Sequence, residues 1–285
     1  MPELPEVETV KNGLKKKILN KKITNCKVLY EGIIAYPSKE DFITNIANQT
    51  INEIKRRGKF LIFELDSYYL ISHLRMEGKY FIKNPMETLN KHDHVIFTFS
   101  EQEELRYNDT RKFGKMHLVK KDELEITPIS KLGLEPWDKE LTPEYLKNKL
   151  NKNKAIKTLL LDQSIIVGIG NIYADEILFL SRIHPETKGN NLNTQNLKDI
   201  IENTKIILEK AIEKGGTTIH SYASVDGITG RFQQELLVHN KKMQPCPICK
   251  TEIEKIIVNG RGTYYCKNCQ KIEEYSNAVK TKNKK

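Results

Sequence analysis

Val7, Val10, Leu14 and Ile18 recur every three or four positions, so one apolar helical face runs from about Leu4 to Leu19. Pro5 suits the first turn of that helix, and Glu6 and Glu8 stand where the helix dipole favours negative charge. Neither argument explains Pro2 or Glu3. The next stretch changes period. Lys27–Tyr30, Ile51–Ile54, Lys59–Leu65, Tyr68–Leu74, Lys79–Lys83, Val95–Phe99, Leu105–Tyr107 and Lys115–Val119 are short and rich in β-branched and aromatic residues. Charged or glycine-bearing turns separate them, the pattern of a sandwich or barrel. From Thr142 the helical period returns over Pro143–Leu150, Ala155–Leu161, Ile172–Leu180 and Leu192–Ile212. Gly215 and Gly216 terminate the last of these. Leu132–Leu141, with Gly133 and Pro136, reads as the linker, a third unit begins near Lys241, and the residues after Glu274 are too polar to pack.

The 285 residues suffice for two modest domains, or for one with an appendage, and carry a formal net charge of +10. Lys280, Lys282, Lys284 and Lys285 contribute four of the positive charges, and the chain stays basic without them. Such a surplus favours a polyanionic partner, most often nucleic acid. No run of 18 apolar residues occurs and the N-terminus lacks a signal-peptide layout, so a soluble, cytoplasmic protein is expected.

Cys26 stands alone in an apolar context and reads as a small buried hydrophobe. The other cysteines form CPICKTEIEKIIVNGRGTYYCKNC, in which Cys246, Cys249, Cys266 and Cys269 make two C-x2-C pairs sixteen residues apart. A disulfide pair or a redox motif is the alternative, but the doubled spacing in a reducing compartment favours one tetrahedral zinc on two knuckles joined by a hairpin. Four thiolates close the coordination shell, so this zinc is structural and activates no water. The hairpin tip, Asn259-Gly260-Arg261-Gly262, sets an arginine between two glycines, where a guanidinium can meet phosphate.

GIGNIYADE, from Gly168 to Glu176, places Asn171 at the start of a helix, where free amides suit phosphate. Together, PELPEVET at the terminus, GIGNIYADE in mid-chain and the four-cysteine finger resemble the formamidopyrimidine-DNA glycosylases of bacterial base-excision repair, over Pro2 to Lys271. The resemblance implies an α+β multidomain fold that grips damaged duplex DNA as a monomer. Residues 1–133 would form an N-terminal antiparallel β-sandwich with its flanking helix, 134–240 a helix-two-turn-helix domain, 241–273 a zinc finger and 274–285 a basic disordered tail. It further implies a nucleoid-associated bacterial enzyme that excises oxidised purines such as 8-oxoguanine and formamidopyrimidines, then nicks the strand.

The resemblance also gives Pro2 and Glu3 a purpose. In that family the initiator methionine is removed and the secondary amine of Pro2 attacks the anomeric carbon of the sugar, with Glu3 as the acid–base carboxylate and Glu6 ordering the site. An α-amino group, with a reference pKa near ~8, is uncharged far more often at neutral pH than a lysine. Lys59 in RRGKFL matches the family's proton donor in β-elimination, and Arg261 matches the finger arginine of δ-elimination and phosphate binding. His73, His92, Arg111 and Asn171 match DNA contacts, and Met76, Arg111 and Phe113 match the residues that fill the duplex after base flipping. Many relatives carry a lysine just before the Ala155-Ile156 helix, where this chain has Asn153 followed by Lys154. Ser221–Gln234, rich in glycine and small residues, suits a lid over a flipped base. Two rivals remain: an endonuclease VIII-type enzyme for oxidised pyrimidines, disfavoured by PELPEVET and the Met76/Arg111/Phe113 set, and a non-catalytic zinc-ribbon DNA binder, disfavoured by Pro2, Glu3 and Lys59.

Overall fold

The computed structural model describes residues 1–217 and 230–272. The chain forms two compact units: Met1–Glu135 with Ile166–Ile169 and Leu208–Glu235, and Pro136–Ile165 with Gly170–Ile207 and Leu236–Lys285. The tail expected at 274–285 and most of the lid expected at Ser221–Gln234 lie outside the described residues.

The first unit opens with α1 (Leu4–Ile18), whose start is a reciprocal capping box between Glu3 and Glu6, with Pro5 in the first turn. Its apolar stripe, Leu4, Val7, Val10, Leu14 and Ile18, is at most 2% exposed. Short strands follow: β1 (Asn25–Val28), β2 (Ile34–Tyr36), β3 (Glu53–Arg57), β4 (Phe60–Glu64), β5 (Tyr68–His73), β6 (Lys79–Lys83), β7 (Asp93–Ser100), β8 (Glu103–Asn108) and β9 (Lys115–Lys120). They make two sheets, of order β1-β7-β8-β6 and β2-β9-β5-β4-β3. All neighbouring pairs are antiparallel except β2 with β9. Leu61 and Phe63 of one sheet and Tyr80, Phe97, Leu105 and Tyr107 of the other share a single buried cluster, which makes the pair a sandwich. Phe63 and Tyr80 meet edge to face across it, ring centroids 5.8 Å apart. α1 lies against β3 and β4.

Two elements escape the hydrophobic pattern. β2 is three residues long, too short for any period to emerge. The helix α2 (Lys39–Ile46) buries only Phe42 and Ile46, but it carries a readable start: Ser38 Oγ accepts from the Asp41 amide at 3.1 Å.

The second unit holds α3 (Pro143–Leu150), capped by Thr142 Oγ1, with α4 (Ile156–Leu160), α5 (Asn171–Leu180) and most of α6 (Thr194–Glu213). It also holds a hairpin of β10 (Glu254–Val258) and β11 (Arg261–Tyr265). The turn is Asn259-Gly260 alone, both at positive φ (47° and 72°), the two-residue geometry that Asn-Gly favours. Arg261 therefore does not occupy the tip between glycines; it opens β11, paired with Val258.

Candidate active site and zinc centre

The chain's first residues are buried, not frayed. Pro2 is buried, and Glu3 and Glu6 are 3% and 2% exposed. The Glu6 carboxylate links two distant pieces of the first unit. Its Oε2 accepts from the Glu3 amide at 2.8 Å, and its Oε1 accepts from the Thr217 amide at 2.8 Å and the Thr217 hydroxyl at 3.1 Å. Thr217 in turn pairs with Arg231, and the Phe232 amide donates to Gly216 O at 3.1 Å. The described ends on either side of 218–229 are thus paired with each other and tied to Glu6. Gly216, at φ +79°, is obligatory, because a Cβ there would lie 2.6 Å from Glu6 Oε1. Phe232–Glu235, overlapping the C-terminal end of the stretch expected to be a lid, forms a 3-10 turn with Phe232 buried.

Lys59 enters the same region from the start of β4. It is 5% exposed, and its Nζ donates to Ile169 O at 2.9 Å. Gly58 precedes it at φ +55°, and its amide donates to Glu135 Oε1, which also accepts from Arg56. In the GIGNIYADE segment Gly168 (φ +89°) packs directly on Leu4, and its carbonyl accepts the Leu4 amide at 3.1 Å. The first glycine of that motif therefore serves close backbone approach to α1 rather than anion binding. Burial, opposed by the charges of Glu3, Glu6 and Glu77 and aided by the Lys59 cation, holds the terminal amine of Met1, the residue before Pro2, below its ordinary value. Glu77 was not among the sequence-derived candidates; only its electrostatic action on that amine singles it out.

Two turns of the same unit carry the other candidates. In the 74–78 turn, closed by the Gly78 amide on Leu74 O at 2.9 Å, Arg75 takes φ +52° and Met76 is half-buried. His73 is buried against Phe60, and its Nδ1 accepts from the Arg75 amide at 2.9 Å. Desolvation first, then the charges of Arg75 and Lys59, depress its pKa to about 3, so it is a neutral ring at physiological pH. The 109–114 turn is built on the buried Asp109 carboxylate, which accepts from the Arg111 amide at 3.0 Å and the Gly114 amide at 2.8 Å. Arg111 is exposed and lies over the Phe113 ring, 4.8 Å from its centroid, while Phe113 is itself 51% exposed. So exposed an aromatic is not strand packing. His92 is half-buried, its amide held by Asn90 Oδ1 at 2.9 Å.

The remaining candidates belong to the second unit. Asn153 and Lys154 are both exposed ahead of α4. Asn171 begins α5, and its Nδ2 donates to Gly262 O at 3.0 Å, so it touches the hairpin strand that starts with the exposed Arg261. Lys157, wholly buried, braces that strand: Nζ donates to Asp175 Oδ1 at 2.6 Å and to Thr263 Oγ1 at 2.7 Å. Nothing local in the sequence distinguishes Lys157 from a solvated lysine.

The donor atoms of Cys246, Cys249, Cys266 and Cys269 lie within 4.8 Å of one another. The Cys246–Cys269 and Cys249–Cys266 sulfurs are 3.8 and 3.4 Å apart, against about 3.8 Å for the edge of a tetrahedron with Zn–S near 2.3 Å. An all-thiol donor set of that size suits a single structural zinc and leaves no open position for catalysis. Cys246 and Cys266 also share a buried cluster with Phe179, Val238 and Ile253, so the knuckles are part of the second unit's core.

Known proteins agree with this anatomy. Residues 1–116 match the formamidopyrimidine-DNA glycosylase N-terminal domain, residues 132–223 the formamidopyrimidine-DNA glycosylase H2TH domain, and residues 244–272 the zinc finger found in FPG and IleRS. The chain belongs to the formamidopyrimidine-DNA glycosylase family. It is 48% identical over 273 residues to the formamidopyrimidine-DNA glycosylase of Bacillus subtilis, covering 95% of this chain and 99% of that one. Among solved structures it is similar to a point mutant of Lactococcus lactis FPG in complex with Fapy-dG-containing DNA (41% identity, TM-score 0.88, 94% and 99% coverage). It is equally similar to Lactococcus lactis Fpg on DNA with an abasic site (40% identity, TM-score 0.87, 94% and 99% coverage). The wild-type Lactococcus lactis protein on DNA containing an oxidised pyrimidine matches at 40% identity and TM-score 0.87, with 94% and 99% coverage. No helix among the described residues is long and apolar enough to cross a membrane.

Proposed function

We propose that this chain is a bifunctional DNA glycosylase and abasic-site lyase that excises oxidised purines from duplex DNA through an N-terminal proline, acting as a monomer in the bacterial cytoplasm at the nucleoid. The observation that carries the reading is the buried chain start: Pro2 is buried between Met1 and Glu3, Glu3 and Glu6 are 3% and 2% exposed, and Glu3, Glu6 and Lys59 all act electrostatically on the Met1 amine that precedes Pro2. Family membership supports the substrate class, since relatives are named for formamidopyrimidine and a similar structure holds Fapy-dG-containing DNA.

With Met1 removed, the Pro2 nitrogen attacks C1′ of the damaged nucleotide and the base departs with a proton. Glu3 is assigned the proton exchange with the opening sugar. The nitrogen lone pair then forms an iminium as the C1′–O4′ bond breaks and O4′ takes the proton from Glu3; the iminium draws electrons from the C2′–H bond, loss of that proton expels the 3′-phosphate, and a second elimination expels the 5′-phosphate. Lys59 is assigned to the first elimination and Arg261 to the second. An α-amino group has a reference pKa of ~8, well below that of a lysine, which favours the uncharged nucleophile at neutral pH. His73, as a neutral donor, and His92, Asn153 or Lys154, and Asn171 bind the DNA, while Met76, Arg111 and Phe113 fill the gap left by the flipped nucleotide. Zinc, when bound, cross-links the knuckles of the hairpin that bears Arg261.

Borohydride trapping tests the reading. Incubation with duplexes carrying 8-oxoguanine, a formamidopyrimidine, an oxidised pyrimidine or an abasic site should give a covalent adduct, which mass spectrometry locates on Pro2. A crosslink on Lys59 refutes the assignment, and faster trapping on the oxidised pyrimidine overturns the purine preference.

A further inference from the structure

Tyr107 of β8 is wholly buried, and its hydroxyl lies where the two turns proposed to fill the flipped-base gap come together. On one side is Gly78, which closes the Met76 turn; on the other is Gly114, which closes the turn bearing Arg111 and Phe113. Both backbones approach the phenol so closely that a Cβ at either glycine would overlap its hydroxyl, nearer than any real Cβ contact. Neither glycine has a positive φ, so close approach to Tyr107, not backbone strain, is what demands the missing side chain. The hydroxyl also donates to Asp109 Oδ2 at 3.4 Å, the same oxygen that accepts the Gly114 amide at 2.8 Å. On the remaining side the ring is braced by Tyr80, centroids 5.2 Å apart, whose own hydroxyl donates to Ser72 Oγ at 2.8 Å. Burial and the neighbouring Asp109 carboxylate hold the Tyr107 phenol well above its ordinary pKa, so it stays a donor at any working pH.

We propose that Tyr107 is a positioning residue for base flipping: its buried hydroxyl sets the spacing between the Met76 turn and the Arg111–Phe113 turn, so that both enter the duplex as one wedge. The proposal rests on the gap-filling reading of those residues given above. Met76 alone could occupy the vacated space, and Phe113 alone could wedge beside the orphaned base. Only a fixed distance between the turns makes the two insertions one event, and a shared buried hydroxyl in contact with both backbones supplies it. Without the hydroxyl the ring remains, but a hydrogen bond to Asp109 is lost and a void opens between the two glycines.

The test compares Tyr107→Phe with Tyr80→Phe in the full-length, zinc-loaded protein. Both remove one buried hydroxyl from the same core, but only the first faces the turns. Stopped-flow fluorescence of 2-aminopurine beside an 8-oxoguanine follows unstacking, and single-turnover excision is measured on the duplex and on the same lesion in an unpaired bubble. Tyr107→Phe should slow unstacking and duplex excision by roughly fivefold to tenfold, about what one buried hydrogen bond is worth. The deficit should shrink in the bubble, where no stacked pair must be replaced. Tyr80→Phe should lower the melting temperature similarly and leave unstacking at the parental rate. Parental unstacking by Tyr107→Phe, or an equal defect in Tyr80→Phe, overturns the assignment. Phe113→Ala separates the two levels: if it unstacks DNA at the parental rate, the gap-filling reading itself is wrong; if it is impaired while Tyr107→Phe is not, only the role of Tyr107 falls.

Discussion

Replacing Glu6 by glutamine changes one atom of the site and should be expensive. The carboxylate is 2% exposed and uses both oxygens as acceptors, one for the Glu3 amide and one for the Thr217 amide and hydroxyl. A glutamine offers one oxygen and one NH2, so in either orientation its NH2 faces a backbone N–H that cannot accept. The Thr217 hydroxyl can turn to adapt, but the opposed amide cannot. One buried donor is left unsatisfied, worth ~1–3 kcal/mol of stability. For a unit of this size each kcal/mol shifts the melting temperature by about 2–4 °C. The exposed Lys55–Glu64 pair, at 56% and 23% side-chain exposure, gives the comparison: Glu64→Gln should cost under ~1 kcal/mol. Glu6 also holds the residue next to Pro2, and displacing a nucleophile by about 1 Å costs on the order of 100-fold in rate. Urea unfolding and borohydride trapping on an abasic duplex measure the two effects. A Glu6→Gln protein with parental stability and a parental trapping rate would refute the claim that this clamp orders the chain start.

Removing zinc, by chelation or by Cys249→Ser, should abolish DNA binding while circular dichroism and unfolding still report a folded N-terminal sandwich; because Cys246 and Cys266 lie in one core with Phe179, the loss should spread beyond the hairpin to α5. Retained full binding by Cys249→Ser would contradict this. Arg111→Ala should weaken discrimination between cytosine and adenine opposite 8-oxoguanine, because a guanidinium has only donors to offer and suits the acceptor edge of cytosine. An unchanged ranking in single-turnover excision against all four bases would reduce Arg111 to a void or phosphate contact. His73, with a folded pKa of about 3 against an ordinary 6.5, binds its proton more readily in the unfolded chain. Its contribution is therefore fully present above pH 6.5 and lost as pH falls from there towards 3, about 2 kcal/mol between pH 7 and pH 5. His73→Gln should flatten the stability profile over that window, and an unchanged slope in urea titrations would show that the ring titrates normally.

Local chemistry made much of this protein legible from its residues alone. The 3.6-residue stripe from Leu4 to Ile18, the short β-branched and aromatic strands and the doubled C-x2-C spacing each depend on residues within a few positions of one another, whereas the hairpin tip, expected to include Arg261, is Asn259-Gly260 alone. Those are the distances over which caps, turns and periodicity act, so the order of helix, strands, helices and hairpin could be read directly. The motifs PELPEVET and GIGNIYADE carried the family, but not the reason for each letter. Gly168 proved to be spacing for Leu4, Lys157 a buried brace for the finger strand, and Tyr107 the partner of two glycines on different turns. The Glu6–Thr217 bond joins residues 211 positions apart, and the first unit gathers 166–169 and 208–235 from beyond the linker. Such pairings leave no periodic trace, because either residue would look the same at its place in the chain whatever it met. Only when the core closes and excludes water does an unpaired carboxylate, amide or ammonium become costly enough to fix its partner. The sequence by itself therefore determined most of the elements, the zinc ligands and the family, and the tertiary structure decided where β2 and α2 lie and which side chains hold the chain start and the 74–78 and 109–114 turns in place.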